Sequence, residues 1–445
     1  MLCPLSNDAN VNPCAILDVS RLLSRLHRKT PTGIDRVEFA YARHYLQENA
    51  NEEVRGLVTT PVNTGLLSRW TVRNLMRTAE SRWLSSACLG SNPAWADLCG
   101  SLQCQVDVEP PQSALTKSAR DGAGEAAVRA FIGRAYVEAT IKGGIGHLPR
   151  SEQSSWYLHV SHINLHRPER FRWLISSPLR RMFMVHDLIP LSHPEYFLPG
   201  EDARHRARME TIARLADVVI FNSNATKTAW DDFVAEHRLP RPDGNVVPLG
   251  TEDVFLQDGP KFHSENPYFV VVGTLESRKN LSFLLHVWKA WVQASPNPRA
   301  RLVIIGRRGR HCENAVDLID RSAALAPSVV QIAELSDPGL AALLRGATAL
   351  LAPSLIEGFG IPVAEALALG VPVIASDIAA HREVGGGSAE YLDPLDGRAW
   401  FQALQDYAVS SSERRIAMQR TALGYRPMTW KKHFYAVNQI LSGQS

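Results

Sequence analysis

The sequence predicts an α/β protein built from two parallel-sheet domains. Short apolar segments typical of strands alternate with helical segments along most of the chain, the order that builds a parallel sheet. Several of these segments are apolar at every position, as in strands that helices cover on both faces. Residues 252–266 contain Gly259-Pro260 and Asn266-Pro267 and predict a linker between two such series. Two series of this kind fit two Rossmann-like domains that face a central cleft.

The composition is that of a globular protein of two or three domains. The chain has 445 residues, of which 45% are hydrophobic and 21% charged. Its formal net charge of +3 is too small to indicate a nucleic-acid partner, although it suits an anionic substrate or an anionic membrane surface. None of the six cysteines has the spacing of a metal site, and no metal is expected.

No pattern of a secretory signal or of a membrane-spanning segment is evident. The N-terminus lacks a basic region followed by a long apolar run, and no apolar run reaches the roughly 18 residues that span a bilayer. We therefore expect a cytoplasmic protein. Peripheral contact with the cytoplasmic face of the inner membrane stays open as an addition.

The first predicted strand, residues 15–20, leads through a loop into a helix that begins near Ile34. In open parallel sheets the loop between the first strand and the first helix lies where ligands bind. Gly33 in this loop is therefore a candidate binding residue. Arg36 follows on the helix, where a position in the cleft and an ordinary solvent-exposed position are both open.

Residues 62–150 form the least readable part of the chain, after a second predicted strand at residues 54–58. Between residues 66 and 84, apolar side chains recur at helical spacing and three arginines recur every four residues on another face. Those arginines are Arg69, Arg73 and Arg77. Such a helix either packs its apolar face on the domain or lies on a membrane, and the sequence leaves both open.

A histidine and an aspartate end the strand predicted at residues 181–185. The carboxyl end of a parallel strand faces the ligand crevice. His186 is therefore a candidate catalytic residue, and the alternative is a buried histidine bonded to a backbone carbonyl. Asp187 is a candidate either to orient the imidazole or to bind an acceptor hydroxyl.

The second half begins with an apolar strand, residues 268–273, followed by the loop 274–280. The loop carries Arg278 and Lys279 at the carboxyl end of the strand. Adjacent cations of this kind are often merely solvated, but here they are placed to neutralise a diphosphate leaving group. His381 and Glu383, later in this half, are expected to lie on the surface at the start of a helix.

A strand, a glycine-containing turn and a helix follow one another between residues 349 and 370. Gly358 and Gly360 form the turn, and Pro362 suits the first helical turn because its φ is fixed and its missing N–H is not needed there. Such a unit directs backbone N–H groups and the positive end of a helix dipole at one point. That point suits a phosphate or a diphosphate.

Two carboxylates flank this turn, Glu357 in the loop and Glu365 in the helix. A single carboxylate would be explained by its attraction to the helix dipole. A pair can also accept hydrogen bonds from sugar hydroxyls. Together with the backbone amides of the glycine turn, the pair indicates a site for a sugar nucleotide.

The two glutamates, with seven residues between them, resemble the E-x7-E signature of retaining GT-B glycosyltransferases, above all those of family 4. The stretch Thr32–Val37 and the stretch His186–Leu188 resemble two further segments of bacterial members. The resemblance covers residues 181–405 closely and residues 15–60 in outline. It implies the GT-B fold.

The resemblance also implies a role for each candidate residue. Glu357 would contact the transferred sugar, and Glu365 the ribose of the donor. The implied catalytic residues are His186, Glu357 and Asp187, and the implied donor-binding residues are Gly33, Arg278, Lys279, Gly358, Phe359, Gly360 and Glu365. Many members place an arginine soon after the strand glycine, where this chain has Thr274, so Arg278 matches the pattern less directly than Lys279.

The same resemblance divides the chain into three parts. Residues 1–257 would form an N-terminal acceptor-binding domain that includes the variable insert. Residues 258–427 would bind the nucleotide sugar, and residues 428–445 would form a C-terminal helix that crosses back to the N-terminal domain.

The implied activity is transfer of a hexose, with retention of configuration, from a nucleotide sugar to a hydroxyl. By analogy the donor is GDP-mannose and the acceptor a glycan or a lipid-linked oligosaccharide in bacterial surface polysaccharide synthesis. No metal cofactor and no nucleic-acid partner are expected. Two alternatives stay open: a glycan phosphorylase or sucrose-type synthase, which shares the glutamate pair, and a sugar-nucleotide-binding protein without activity.

Overall fold

The computed structural model describes residues 15–28, 30–48, 54–84, 98, 100, 105–106, 118–141, 155–294 and 299–443. Much of the insert predicted at 62–150 therefore lies outside the described residues.

The first half of the described chain builds a seven-stranded sheet. Its strands are β1 (Ala15–Asp18), β2 (Arg55–Thr59), β3 (Thr64–Leu66), β5 (Trp156–His159), β6 (Arg180–Val185), β7 (Val218–Phe221) and β8 (Asp243–Val246). Their order across the sheet is β3-β2-β1-β5-β6-β7-β8. Neighbouring strands are parallel except β2 and β3, which form an antiparallel pair.

The second half of the described chain builds a six-stranded, fully parallel sheet. Its strands are β10 (Tyr268–Val272), β11 (Arg301–Ile305), β12 (Val329–Ile332), β13 (Ala349–Ala352), β14 (Val373–Ser376) and β15 (Glu390–Leu392). The order is β12-β11-β10-β13-β14-β15, so strand order reverses between β11, β10 and β13. Such a reversal opens a crevice at the carboxyl ends of the strands. A short antiparallel pair, β4 (Gln105–Val106) with β9 (Phe262–His263), joins the insert to the segment between the two sheets.

The helices alternate with the strands in both halves, as the sequence predicts. Those of the first half are α1 (Ser20–Arg25), α2 (Gly33–Arg43), α3 (Arg69–Trp83), α4 (Ser118–Ile141), α5 (Arg172–Ile175), α6 (Ile189–Ser192), α7 (Glu201–Leu215) and α8 (Asn224–Glu236). Those of the second half are α9 (Leu281–Ala294), α10 (Glu313–Arg321), α11 (Asp337–Gly346), α12 (Ile361–Ala368), α13 (Ala379–Gly385), α14 (Gly397–Ala408), α15 (Glu413–Leu423) and α16 (Trp430–Ser442). Within the described residues, no helix is both long enough and apolar enough to cross a bilayer.

Helix α3 is the predicted amphipathic helix of the insert, and its apolar side packs into the protein. Val72, Leu75, Met76, Ala79 and Trp83 are all buried. Phe39 of α2 meets Trp83 edge to face, with ring centroids 5.5 Å apart. The apolar side therefore belongs to the core of the first half, while the arginine side faces outward.

The C-terminal helix α16 packs on the first half of the chain. His433 Nδ1 lies 2.8 Å from the carbonyl oxygen of Pro248, and its Nε2 lies 2.9 Å from the hydroxyl of Tyr41. Tyr45 donates a hydrogen bond of 2.7 Å to Asn438. Gly250 has to be glycine, because a Cβ there would lie 2.5 Å from the backbone nitrogen of Trp430.

Glu38 of α2 is a fully buried carboxyl in the first half. Burial and the neighbouring Asp18 raise the pKa of Glu38 well above its usual range, against the smaller effect of Arg21. A carboxyl whose pKa is raised by folding is protonated in both the folded and the unfolded state when the pH is below its unfolded pKa. As pH rises from the unfolded pKa to the folded pKa, only the unfolded state loses the proton readily, so the free energy of unfolding falls.

Glu38→Gln is therefore expected to stabilise the protein by about 1–3 kcal/mol at pH 8 and to change little at pH 4, because glutamine cannot ionise. Denaturant unfolding at both pH values measures this. Asp18→Asn is the matched control, and it is expected to destabilise the protein at pH 8. His159 and Ser20 lower the pKa of Asp18 despite its burial, so the ionised carboxylate of Asp18 favours the folded state. A Glu38→Gln protein less stable than the parent at pH 8 would contradict the prediction.

Candidate functional site

The loop between β13 and α12 carries Glu357 at the carboxyl edge of the second sheet. Gly360 has φ +105°, a backbone conformation that favours glycine, and Pro362 lies in the first turn of α12. The loop therefore turns sharply between strand and helix, as the sequence predicts. Its geometry places the Glu357 carboxylate beside the N-terminal end of the helix.

Glu357 forms a largely but not fully buried cluster with two cations. Arg278 Nη1 lies 2.8 Å from Glu357 Oε2, and Lys279 Nζ forms an ion pair with Oε1. Ser354 donates a further hydrogen bond of 2.8 Å to Oε1. Burial alone would raise the pKa of Glu357, but Lys279 and Arg278 hold it well below its usual range. The carboxylate is therefore ionised at neutral pH, and its charge is compensated inside the site.

The two cations lie on a 3-10 turn, Ser277–Lys279, that follows β10. The backbone N–H of Leu355 donates to the carbonyl of Arg278 at 2.8 Å, so this turn and the Glu357 loop are tied together. Arg278 also forms an ion pair of 3.1 Å with Glu276. The two predicted diphosphate-binding cations thus converge on the predicted sugar-binding carboxylate.

A small cavity of about 20 Å³ opens beside this cluster, with room for about one water molecule. Its polar lining includes Thr274, Lys279, Ser354, Glu357 and His381, together with the backbone of Gly273 and Gly360. The cavity lies where β10 and β13 end, at the reversal of strand order. This is the position at which open parallel sheets bind ligands.

His381 lines the cavity, although the sequence predicted it at the surface. It is buried, and its Nδ1 lies 3.0 Å from the carbonyl oxygen of Ser376. Burial lowers the pKa of His381, against the opposing effect of Glu357. A neutral ring that donates from Nδ1 keeps Nε2 as an acceptor.

His186 sits at the end of β6, as predicted, and its side chain is buried. Its Nε2 lies 2.8 Å from the carbonyl oxygen of Val160. Burial lowers the pKa of His186 to about 4, so the imidazole is neutral at pH 7. Among the described residues, the carbonyl of Val160 is the hydrogen-bond partner of the ring. The carboxylate of Asp187 does not orient the ring, and it accepts a hydrogen bond of 3.2 Å from the N–H of Ile189.

The Glu357 loop touches the first half of the chain directly at Gly358. A Cβ at this position would lie 2.4 Å from the carbonyl oxygen of His186, so only glycine fits. Ser223 donates a hydrogen bond of 2.7 Å, and Thr226 one of 3.2 Å, to the carbonyl of Gly358. Phe359 is buried in the apolar core. Of the three residues of the glycine turn, Gly360 is the one that lines the cavity.

Glu365 of α12 is also buried, and it faces Arg36 of α2 in the first half. Arg36 Nη1 lies 2.7 Å from Glu365 Oε1, and Nη2 forms an ion pair with Asp337. Gly33 lies at the same junction, where an added Cβ would be 3.1 Å from Ile361. Arg36 therefore lies in the cleft between the halves and not at an ordinary solvent-exposed position of the helix.

Glu383 is partly exposed, as the sequence predicted, but its charge is paired with the first half of the chain. Its carboxylate accepts hydrogen bonds of 2.7 and 2.8 Å from the backbone N–H of Asn224, the first residue of α8. A carboxylate at a helix N-terminus is favoured by unpaired N–H groups and by the helix dipole. A charged His-Arg-Glu stretch carries no signal that its glutamate will meet a helix of the other half of the chain.

Three comparisons with known proteins bear on this site. Residues 266–408 match the family described as Glycosyl transferases group 1. These residues contain both glutamates, both cations and His381. The second half of the chain carries a glycosyl transferases group 1 domain.

Curated relatives match over part of their length. The chain is 27% identical over 227 residues to the serotype-specific mannosyltransferase WbdA of Escherichia coli, covering 47% of this chain and 27% of WbdA. It is 27% identical over 222 residues to the O-antigen chain mannosyltransferase RfbU of Salmonella typhimurium, covering 50% of this chain and 59% of RfbU. The chain thus spans between about a quarter and three fifths of these two relatives.

A solved structure matches over nearly the whole chain. This is the UDP-forming alpha,alpha-trehalose-phosphate synthase of Burkholderia xenovorans, with a TM-score of 0.54, 14% identity and coverage of 96% of this chain and 99% of that one. At 14% identity, this similarity shows a shared fold and does not show a shared activity. The GT-B fold with two Rossmann-like domains is confirmed, as is the predicted resemblance to bacterial mannosyltransferases.

Proposed function

We propose that this protein is a retaining, family 4 glycosyltransferase that moves a hexose from a nucleotide sugar to an acceptor hydroxyl. The observation that carries the proposal is the convergence of Arg278 and Lys279 on Glu357 beside the N-terminus of α12. Cations and helix N–H groups suit a diphosphate, and a carboxylate suits sugar hydroxyls. The names of the relatives support mannose as the sugar, so we propose GDP-mannose as donor. We propose a glycan or lipid-linked oligosaccharide of bacterial surface polysaccharide as acceptor.

In the proposed reaction the bond between the anomeric carbon and the β-phosphate oxygen breaks while the acceptor oxygen bonds to the same face of the sugar. Negative charge grows on the departing diphosphate, where Lys279 and Arg278 stabilise it. The acceptor proton passes to an oxygen of the leaving phosphate. Because two cations already meet the diphosphate, we propose that transfer needs no metal ion.

The remaining candidates take roles around the sugar. We propose that residues 258–427 bind the donor and that residues 1–257 bind the acceptor. His186 and Asp187 then approach the sugar or the acceptor from the first half, and the Nε2 atom of His381 accepts a hydrogen bond from a sugar hydroxyl.

A nucleotide sugar is far larger than the cavity of about 20 Å³. We therefore propose that the two halves separate to admit the donor and close again around it. Closure would exclude water and so limit hydrolysis of the donor.

A thermal-shift screen followed by turnover tests the proposal. A donor that binds only the folded protein raises its melting temperature. We expect the largest shift with GDP-mannose among GDP-, UDP- and ADP-linked hexoses, and release of GDP when a glycan acceptor is added. Release of a sugar phosphate from glycan and inorganic phosphate would instead support a phosphorylase. Binding without turnover on any acceptor would support a protein that only binds the nucleotide sugar.

We further propose that the first half contacts an anionic membrane through the outer side of α3 and the end of α4. Trp70 is 64% exposed and Ile141 77% exposed, although both are large apolar residues. Hydrogen bonds of α4 to the chain before α3, such as Ser68 N–H to Glu138 at 2.9 Å, bring the two helices together. With exposed arginines on the same helix as Trp70, the surface suits the boundary of an anionic bilayer.

Trp70→Ser combined with Arg73→Ser is expected to weaken binding to phosphatidylglycerol vesicles at least about tenfold, because an interfacial aromatic and a basic group are both lost. Vesicle co-sedimentation measures this. Tyr435→Ser on α16 removes an equally exposed aromatic, 64% for each residue, and is expected to change nothing. Equal binding of the parent protein to neutral phosphatidylcholine vesicles would contradict the proposal.

A further inference from the structure

Arg36 joins the two halves of the protein through a buried charge cluster. It extends from α2 in the first half and donates to Glu365 at 2.7 Å and to Asp337 in the second half. The exposed fractions of the three side chains are 18%, 3% and 11%. One cation therefore serves two carboxylates at a junction that exists only while the halves are together.

The remaining charged groups around Glu365 disfavour its ionisation. Asp337 begins α11, and Glu252 lies in the segment after β8, 3.8 Å from Arg43 of α2. Burial together with Asp337 and Glu252 raises the pKa of Glu365 to about 8, although Arg36 acts to lower it. Arg36 is thus the cation that favours the charged form of Glu365.

The contact occupies one oxygen of Glu365. Arg36 binds Oε1, and a carboxylate offers a second oxygen with two further acceptor positions. Oε2 can therefore accept hydrogen bonds from the hydroxyls of a ribose while Oε1 stays fixed. This step rests on the proposed function, which gives Glu365 the donor ribose.

We propose that Arg36 is a positioning residue that holds the ribose-binding carboxylate of Glu365 across the closed cleft and so couples closure to recognition of the donor ribose. Other contacts between the halves do not involve Glu365. Glu383 with Asn224 is one, and Ser223 with Gly358 is another. Closure and orientation of the carboxylate can therefore be separated by mutation.

The experiment compares Arg36→Gln and Arg36→Lys with Glu383→Gln, a variant that removes the charge from a different contact between the halves. Calorimetry measures binding of GDP and of 2′,3′-dideoxy-GDP to each protein between pH 6.5 and 9.5. We expect Arg36→Gln to weaken GDP binding about 10- to 100-fold at pH 7, because Glu365 loses the cation that fixes it and favours its charged form, and hydrogen bonds from the ribose to a charged group are weakened. Arg36→Lys should recover part of the loss.

The pH dependence and the dideoxy probe identify the cause. Without its cation Glu365 ionises at a higher pH, so the loss in Arg36→Gln should shrink as pH rises toward 9.5. Dideoxy-GDP has no hydroxyls for Glu365 and should bind Arg36→Gln and the parent protein equally. Glu383→Gln should show no selective loss of GDP relative to dideoxy-GDP.

Two results would overturn the inference. An equal loss for GDP and dideoxy-GDP in Arg36→Gln, with no change in pH dependence, would mean that Arg36 only stabilises the fold. If the parent protein binds neither GDP nor UDP nor ADP, the proposed function fails, and the role of Arg36 at a ribose fails with it. If the parent protein binds GDP but Arg36→Gln loses GDP and dideoxy-GDP equally, the inference about Arg36 fails while the proposed function stands.

Discussion

Glu357→Gln is expected to lower kcat by about 10²- to 10³-fold in a protein that still folds, because a group that acts on developing charge is lost. Glutamine keeps the shape of the side chain but removes its charge. The ionised carboxylate orients Lys279 and Arg278, which form ion pairs with its two oxygens. In the proposed reaction it would also face the sugar on which positive charge develops. Steady-state kinetics with the donor that the thermal-shift screen identifies measure the effect.

Ser354→Ala provides the matched control for this variant. It removes one neutral hydrogen-bond donor, 2.8 Å from Glu357 Oε1, and leaves both cations in place. We expect a loss of less than about tenfold, since such a hydrogen bond contributes about 1 kcal/mol. A Glu357→Gln enzyme that turns over within about threefold of the parent rate would refute the assignment of Glu357.

Loss of activity in Glu357→Gln has to be separated from loss of stability. The pKa of Glu357 is lowered by folding, so the ionised group stabilises the protein above the unfolded pKa, and this contribution is lost as pH falls. Removing one partner of a buried ion pair costs about 3–5 kcal/mol. Melting at pH 7 should therefore fall in the variant, and kinetics should be run well below its melting temperature.

The strand–turn–helix unit around Glu357 could be predicted because each of its features is local. Gly360 adopts a positive φ that the turn requires, and Pro362 fits only the first turn of a helix. The apolar run of β13 is buried, as expected of a strand with helices on both faces. The convergence of Lys279 on Glu357 followed from parallel topology, which brings the carboxyl ends of strands to one edge.

The contacts between the halves could not be predicted from local features. Arg36 and Glu365 are 329 residues apart, and no periodicity links a helix of one domain to a helix of the other. Glu383 looked like an ordinary surface charge because its partner, the N-terminus of α8, belongs to the other half. In a sequence, a charged residue that bridges two domains has the same pattern as a charged residue in solvent. The arrangement of the two domains is needed to tell them apart.

The insert was difficult to read for a different reason. Helix α4 spans 24 residues, Ser118–Ile141, and about half of its described side chains are exposed, so apolar periodicity is weak over the whole length of the helix. Its position is set by a few specific contacts. A Cβ at Gly65 would lie 2.1 Å from the carbonyl oxygen of Ala139, so the helix and β3 approach backbone to backbone. Contacts of this kind depend on one glycine and leave little pattern in a sequence.

The charges in the donor site are mutually compensated in the closed protein. Lys279 and Arg278 both bind Glu357, and Arg36 binds Glu365. A diphosphate would bring two further negative charges to the cations, and ribose hydroxyls would bring donors to the glutamates. Each cation of the site therefore has a carboxylate partner when the site is empty, and the site can gain hydrogen bonds without exposing an unpaired charge when a donor enters.

Lys279→Met is expected to lower kcat by about 10²- to 10³-fold with a nucleotide-sugar donor, because the cation that would meet the departing diphosphate in the proposed reaction is lost. Methionine keeps the length and most of the apolar contacts of the lysine side chain. Glu357 keeps Arg278 and Ser354 as partners, so the fold should tolerate the change. The rate of nucleoside diphosphate release at saturating donor measures the effect.

A donor with a different leaving group distinguishes stabilisation of the diphosphate from a general disturbance of the site. A glycosyl fluoride of the same sugar has no diphosphate, so Lys279→Met should slow its transfer much less than transfer from the nucleotide sugar. Arg308→Met is the matched control, because Arg308 is exposed and pairs with Asp320 on the surface. Equal losses on both donors in Lys279→Met would show that Lys279 does not act on the leaving group, and the charge that develops on the diphosphate would then have to be met by Arg278 and the N-terminus of α12.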